Sequence, residues 1–97
     1  MQNQVRLAGT AVAREALRHT PAGIPVLTFT VKHESTQMEG GVPRQVGLEI
    51  EALAMGDVAQ GMSALQAGQT VRLAGFLASR SRLSTRVVLH VNQFEIE

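Results

Sequence analysis

Apolar residues along this chain recur mainly at every second position. In VRLAGTAVA, Val5 and Leu7 fall on one face while Arg6 and Thr10 fall on the other. In VLTFTVK, Leu27, Phe29 and Val31 alternate with Thr28, Thr30 and Lys32. In RQVGLEIEA, Val46, Leu48 and Ile50 alternate with Gln45, Gly47, Glu49 and Glu51. In TVRLAGFLAS, Val71, Leu73 and Leu77 alternate with Arg72, Ala74 and Phe76. In RVVLHVNQFEIE, Val88, His90, Phe94 and Ile96 share one parity, and Val87, Leu89 and Val91 take the other. Successive side chains of an extended chain point to opposite faces, so the pattern predicts five strands.

Turn residues punctuate the runs. PAGIP at 21–25 predicts a turn, because Pro fixes φ and Gly admits positive φ. GGVP at 40–43 predicts the opening of a flexible loop between the second and third strands, and SRSRLST links the last two. One segment leaves the period of two. In GDVAQGMSALQAG, Val58, Met62 and Leu65 stand at i, i+4 and i+7, which predicts a short helix over 57–66. Asp57 is its expected N-cap and Gly68 its terminator. Gly61 inside it costs about 1 kcal/mol against Ala. Five strands with a short helix between the third and fourth predict an all-β chain, a five-stranded OB-fold barrel. Gly9 and Gly75 lie inside strand patterns and read as bends of that barrel. Phe29 is expected in the core; Phe76 and Phe94 could face either way.

Composition narrows the classes. At 97 residues, 44% hydrophobic and 18% charged, the chain is expected to be one globular domain over 1–97. It has no cysteine, which excludes disulfides and thiolate metal sites. No apolar run reaches the roughly 20 residues of a membrane helix. MQNQVRLAGT has no basic stretch followed by an apolar block, so a cytoplasmic protein is expected. His19, His33 and His90 are the only imidazoles, and no H-E-x-x-H, P-loop or G-x-S-x-G occurs. The expectation is no enzyme, no catalytic residue, no cofactor and no metal.

The net charge of +1 conceals a segregation. Residues 1–32 hold Arg6, Arg14, Arg18 and Lys32 against Glu15. Residues 33–57 hold Glu34, Glu39, Glu49, Glu51 and Asp57 against Arg44. Residues 58–97 hold Arg72, Arg80, Arg82 and Arg86 against Glu95 and Glu97. A fold that joins the basic ends would present a stripe attractive to polyanions. Arg80, Arg82 and Arg86, with no acid between them, and Arg18 beside the PAGIP turn are the leading candidates for nucleic-acid contact. Arg44 at a strand start, Lys32 on a polar strand face and Phe76 as a stacking ring complete the set.

The chain resembles the PriB (primosomal replication protein N) family of proteobacteria. The resemblance rests on LAGTAVA, PAGIPVLTFTVKHES at 21–35, RQVGLEIEA at 44–52, LQAGQTVRLAGFLA at 65–78 and LSTRVVLHVNQFEI at 83–96. It implies an OB-fold homodimer without enzymatic activity that binds single-stranded DNA with little sequence preference. It also implies a place in replication restart, bridging the PriA helicase and DnaT-type loading factors. The family carries a basic residue at Arg18 and a lysine cluster near Arg80, Arg82 and Arg86. This chain departs from it at Gly47, where the family usually has Trp, at Val42 in place of an aromatic residue, and at Glu34 in place of a basic one. Losing a stacking platform makes binding weaker and more dependent on charge. Three alternatives stand beside this reading. One is a protein adaptor working through the acidic middle, 34–57, with weak nucleic-acid affinity. The others are a general SSB-type protein and an RNA-binding OB domain.

Overall fold

The computed structural model describes all 97 residues. Its elements are β1 (Val5–Arg14), β2 (Arg18–His19), β3 (Pro25–Glu39), β4 (Val42–Met55), α1 (Asp57–Gly61), β5 (Thr70–Ser79) and β6 (Val87–Ile96). The sheet runs β1-β5-β6-β4-β3-β2, and β1 also pairs with β3, which closes it. All pairings are antiparallel except β4 with β6. Five long strands closed into a barrel, with one short helix before β5, are the OB-fold expected from the sequence. β2 is an addition: Arg18 and His19 pair with Val26 and Pro25 across the PAGIP turn.

Closure depends on β1 changing partners. Val5–Thr10 pair with β5, and Thr10–Arg14 pair with β3. Gly9 sits at this switch, where a Cβ would collide with the Lys32 carbonyl and the Val31 side chain. Gly75 is tighter still, because a Cβ there would run into the His90 carbonyl of β6. Both glycines are points of close backbone approach, in keeping with their reading as bends.

Inside the barrel, Leu27, Phe29 and Val31 meet Ala52, Ala54, Val71, Leu73, Leu89 and Val91. Ala59, Met62 and Leu65 plug one end. The helix is shorter than its spacing predicts and stops at Gly61. Beyond it the chain continues in turns, with Ser63 N–H donating to the Gln60 carbonyl and Leu65 N–H to that of Met62. Met62 and Leu65 stay buried all the same, so the spacing reports the buried face and not the helix length. Gly56, with φ of 69°, occupies the cap position in place of Asp57, which is the first helical residue. Gly61 has a packing reason: a Cβ there would lie 2.8 Å from the Phe94 ring. Arg14 secures the turns by donating to the carbonyls of Ser63 and Leu65, at 2.8 and 3.0 Å.

In β6 the pairing skips Asn92 between Val91 opposite Gly75 and Gln93 opposite Ala74. This bulge reverses the parity of the strand. Phe94 and Ile96 therefore pack against the core with Leu89 and Val91, rather than sharing a face with His90 as strict alternation predicts.

The expected loop at GGVP is a tight turn. Gly40 and Gly41, at φ of 61° and 83°, join Glu39 directly to its partner Val42. A two-residue hairpin of this kind needs positive φ at both positions, which consecutive glycines supply. β3 and β4 thus extend past the barrel as a two-stranded arm over 33–48, and no residue of that arm is buried. His33 ties the arm to the barrel. Its Nδ1–H donates to the Ala8 carbonyl at 2.6 Å, which leaves Nε2 to accept from the Ser35 hydroxyl at 2.7 Å.

Gly75→Ala should lower stability by about 2–3 kcal/mol through forced overpacking. Gly47→Ala, with open space around its position, should raise it by about 0.5 kcal/mol. Urea unfolding midpoints distinguish the two. Arg14→Ala should cost about 1–2 kcal/mol by leaving two carbonyls without their donor, read as a lower thermal midpoint.

Candidate nucleic-acid interface

The outer surface of the barrel follows from the strand register. Thr28 of β3 stands opposite Leu53 of β4, Leu53 opposite His90 of β6, and His90 opposite Phe76 of β5. The next row is Thr30, Glu51, Val88 and Ala78. From these two rows, Thr28, Leu53, His90 and Val88 floor a hollow of about 300 Å³, with Glu51 and Glu15 at its sides. Arg18, Ser79 and Arg80 complete its lining.

Local chemistry sets both arginines in place. Arg18 is held by the β2–β3 pairing. The turn behind it is fixed by Thr20, whose hydroxyl accepts from Ile24 N–H at 3.2 Å, and by Gly23 at φ of 84°. Arg80 opens the β5–β6 loop, and its backbone N–H donates to the Arg86 carbonyl at 2.9 Å. Within that loop Ser84 N–H donates to the Ser81 carbonyl, and the Ser84 hydroxyl accepts from Arg86 N–H. Arg82 and Leu83 are left at the outside of this closed loop, both exposed.

Ion pairing separates the cations into two groups. Arg44 binds Glu39 at 2.9 Å, Arg72 binds Glu97 at 3.0 Å and approaches Glu95 at 3.8 Å, and Lys32 approaches Glu34 at 3.8 Å. Arg14 is occupied by backbone carbonyls. Arg6, Arg18, Arg80, Arg82 and Arg86 have no carboxylate partner. Four of these five lie at the hollow or in its adjoining loop.

The aromatic contribution comes from a pair. Phe76 faces outward, 41% exposed. Its ring stacks on His90 with centroids 5.0 Å apart and planes 9° from parallel. His90 lines the hollow, so the stacked rings form its margin. Phe94 is half-buried beneath Gly61 and offers no platform.

The remaining candidates lie apart from this cluster. Lys32 is on the same outer surface but sits opposite Glu49 and beside Glu34. Arg44 shares the parity of Val46, Leu48 and Ile50, so it occupies the other face of the arm. It stands roughly 30 Å along β4 from Leu53 at the usual rise per residue. Gly47, opposite Glu34, leaves an open notch in the outer face where the family resemblance places an indole. A wider concavity of about 580 Å³ lies further round the barrel between Arg6, Arg72, Gln93 and Glu95, and its Arg72 is already paired.

Sequence reasoning did not single out Thr28, Leu53, Glu51 or His90 for this surface. The signal for His90 was the register of the last hairpin. Pairing β5 and β6 across residues 80–86 brings Phe76 opposite His90, whereas the parity of Phe76 taken alone left its face open.

Comparison with known proteins places this geometry. Residues 3–93 match a family described as "another single-strand binding protein family". The replication restart protein PriB of Nitrosomonas europaea is 37% identical over 95 residues, covering 98% of this chain and 88% of its own. The crystal structure of PriB from Ralstonia solanacearum superposes with a TM-score of 0.88 at 33% identity, covering 100% of this chain and 99% of that one. The single-stranded DNA binding protein of Thermus aquaticus shares the fold at a TM-score of 0.79 and 24% identity, with 99% of this chain matching 50% of that one. With one fold throughout and more than a third of positions shared with a full-length relative, the chain belongs to the PriB family of replication restart proteins, within the single-strand binding proteins.

Proposed function

We propose that this protein binds single-stranded DNA across the outer face of β3, β4, β6 and β5, and acts without catalysis in restarting replication. One observation carries the reading: the unpaired Arg18 and Arg80 line one hollow whose margin is the exposed Phe76–His90 stack. A single strand offers two handles, an anionic backbone and open base faces, and this surface has a group for each. On this reading Arg82 and Arg86 extend the phosphate track. Lys32 and Arg44 contribute less, because carboxylates already hold them.

The family relationship extends the proposal to partners. The protein works in the cytoplasm as a homodimer, linking a PriA-type helicase to a DnaT-type loader. The dimer has a physical basis in β1, whose Val5–Gly9 segment has a strand neighbour only on its β5 side. An exposed strand edge is a ready template for another chain. Light scattering should give a mass near two subunits, and a mass near one rejects the dimer.

A second reading, a protein adaptor, is favoured by one feature. Glu34, Glu49 and Glu51 share the outer surface of β3 and β4, which suits a basic protein better than a polyanion. Pull-down with restart proteins beside an oligonucleotide titration separates the two readings.

If four arginines per subunit meet phosphate, the log–log salt slope should be about −3, from roughly −0.7 per contact on a single strand. Arg18→Ala with Arg80→Ala should halve that slope and weaken all sequences alike, while Arg44→Ala should leave both nearly unchanged. An unaltered slope in the double variant removes the hollow from the binding path. Phe76→Ala should weaken binding roughly tenfold at constant slope, as loss of one stacking contact does.

A further inference from the structure

We propose that Glu51 makes this hollow select bases that carry an exocyclic amino group over thymine. The proposal rests on the DNA-binding reading above and adds a base preference to it.

Glu51 offers a solvent-accessible carboxylate that no other group of the protein holds. Glu51 is half-buried in the outer face of β4, opposite Thr30 and Val88. Its carboxylate lines the hollow together with Arg18 and Arg80, yet neither guanidinium comes within ion-pair distance. It accepts no hydrogen bond from any side chain. A hollow that presents two open cations, Arg18 and Arg80, and two open anions, Glu51 and Glu15, fits a ligand with both an anionic part and a donor. A nucleotide whose base bears an amino group is such a ligand. Its phosphate meets arginine, its ring lies against the Phe76–His90 margin, and its amino group donates to Glu51.

The bases divide cleanly on this criterion. An ionised carboxylate only accepts. Cytosine and adenine each offer an amino donor, and guanine offers N1–H and N2–H side by side, a match for both carboxylate oxygens. The one ring N–H of thymine lies between two carbonyl oxygens, which a carboxylate repels. Acidic side chains accept from the cytosine amino group in base readout generally. Glu49 shares the strand and the face but is exposed and lies outside the hollow. Glu15 also lines the hollow but is exposed and lies beyond the end of β1, off the strand rows that carry Thr28, Leu53 and His90. The selection is therefore assigned to Glu51, and Glu15→Gln, like Glu49→Gln, should keep the base preference.

The test compares oligo-dC with oligo-dT of equal length, at one salt concentration and a mildly alkaline pH that keeps cytosine neutral. Oligo-dC should bind roughly fivefold tighter, the low end of a base-edge contact. In Glu51→Gln the amide both donates and accepts, so affinity for both oligomers should rise with the lost repulsion while their ratio falls towards one. Glu49→Gln should also bind both more tightly but keep the ratio. Equal affinities in the parent protein, or an unchanged ratio in Glu51→Gln, overturn the proposal. Loss of salt-dependent binding to both oligomers overturns the DNA-binding reading together with it, and is told apart by the absence of any slope.

Discussion

The structure depends on backbone approach at two glycines. At Gly9 and Gly75 the neighbouring chain lies so close that a methyl group would meet a carbonyl. Gly9 lets β1 leave β5 and join β3, and Gly75 lets β5 bend against β6 beside the bulge. A sheet bent in this way can close through the β1–β3 pairing, which makes a ring with β4 and β6 side by side. The parallel pairing of Glu51–Ala54 with Val88–Val91 joins the first three long strands to the last two. The hollow straddles it, with Thr28 and Leu53 on one side and Val88 and His90 on the other. The closed barrel that carries this surface site therefore rests on a packing constraint in the backbone.

Charge acts here through pairing more than through its total. Nine basic and eight acidic residues nearly cancel, yet the cancellation is local. Arg44, Lys32 and Arg72 are matched by glutamates, and on the β1–β5–β6 surface only Arg6 stays without a carboxylate partner. Around the hollow and the β5–β6 loop the guanidinium groups stand without partners. Exposed ion pairs contribute little to stability, but they occupy the cations that form them. The acidic outer face of β3 and β4 adds repulsion for phosphate along the arm. In the proposed function these features favour polyanion binding at the barrel end that carries Arg18 and Arg80. The resemblance to the PriB family points to the same barrel surface, but Gly47 leaves it without an indole, and the Phe76–His90 stack is the aromatic surface that remains.

The barrel strands were legible because one of their faces is buried. Leu27, Phe29 and Val31 alternate with threonines, since a packed interior permits nothing polar at those positions. The arm was not legible for the converse reason. HESTQME meets solvent on both faces, so no period of two marks it, and GGVP reads as a loop until the Gly40–Gly41 turn is seen joining two strands. Val58, Met62 and Leu65 announced a buried face, but turns bury the last two as well as a helix would. In β6 one skipped residue, Asn92, exchanged the faces of everything after it. A bulge leaves no trace in hydrophobic alternation, because it depends on how the partner strand bends.

The linear order of residues determined the number of long strands, the place of the helix, the interior set from Leu27 to Val91, and the family. Each follows from burial periodicity or from local backbone preference, which act between near neighbours in the chain. Tertiary structure alone decided which cations remain open, that Phe76 lies on His90, and that Glu51 lines the same hollow as Arg18 and Arg80. Those relations join residues from distant strands. They are set by register, bulge and closure, where a shift of one position turns a side chain from the interior to the surface.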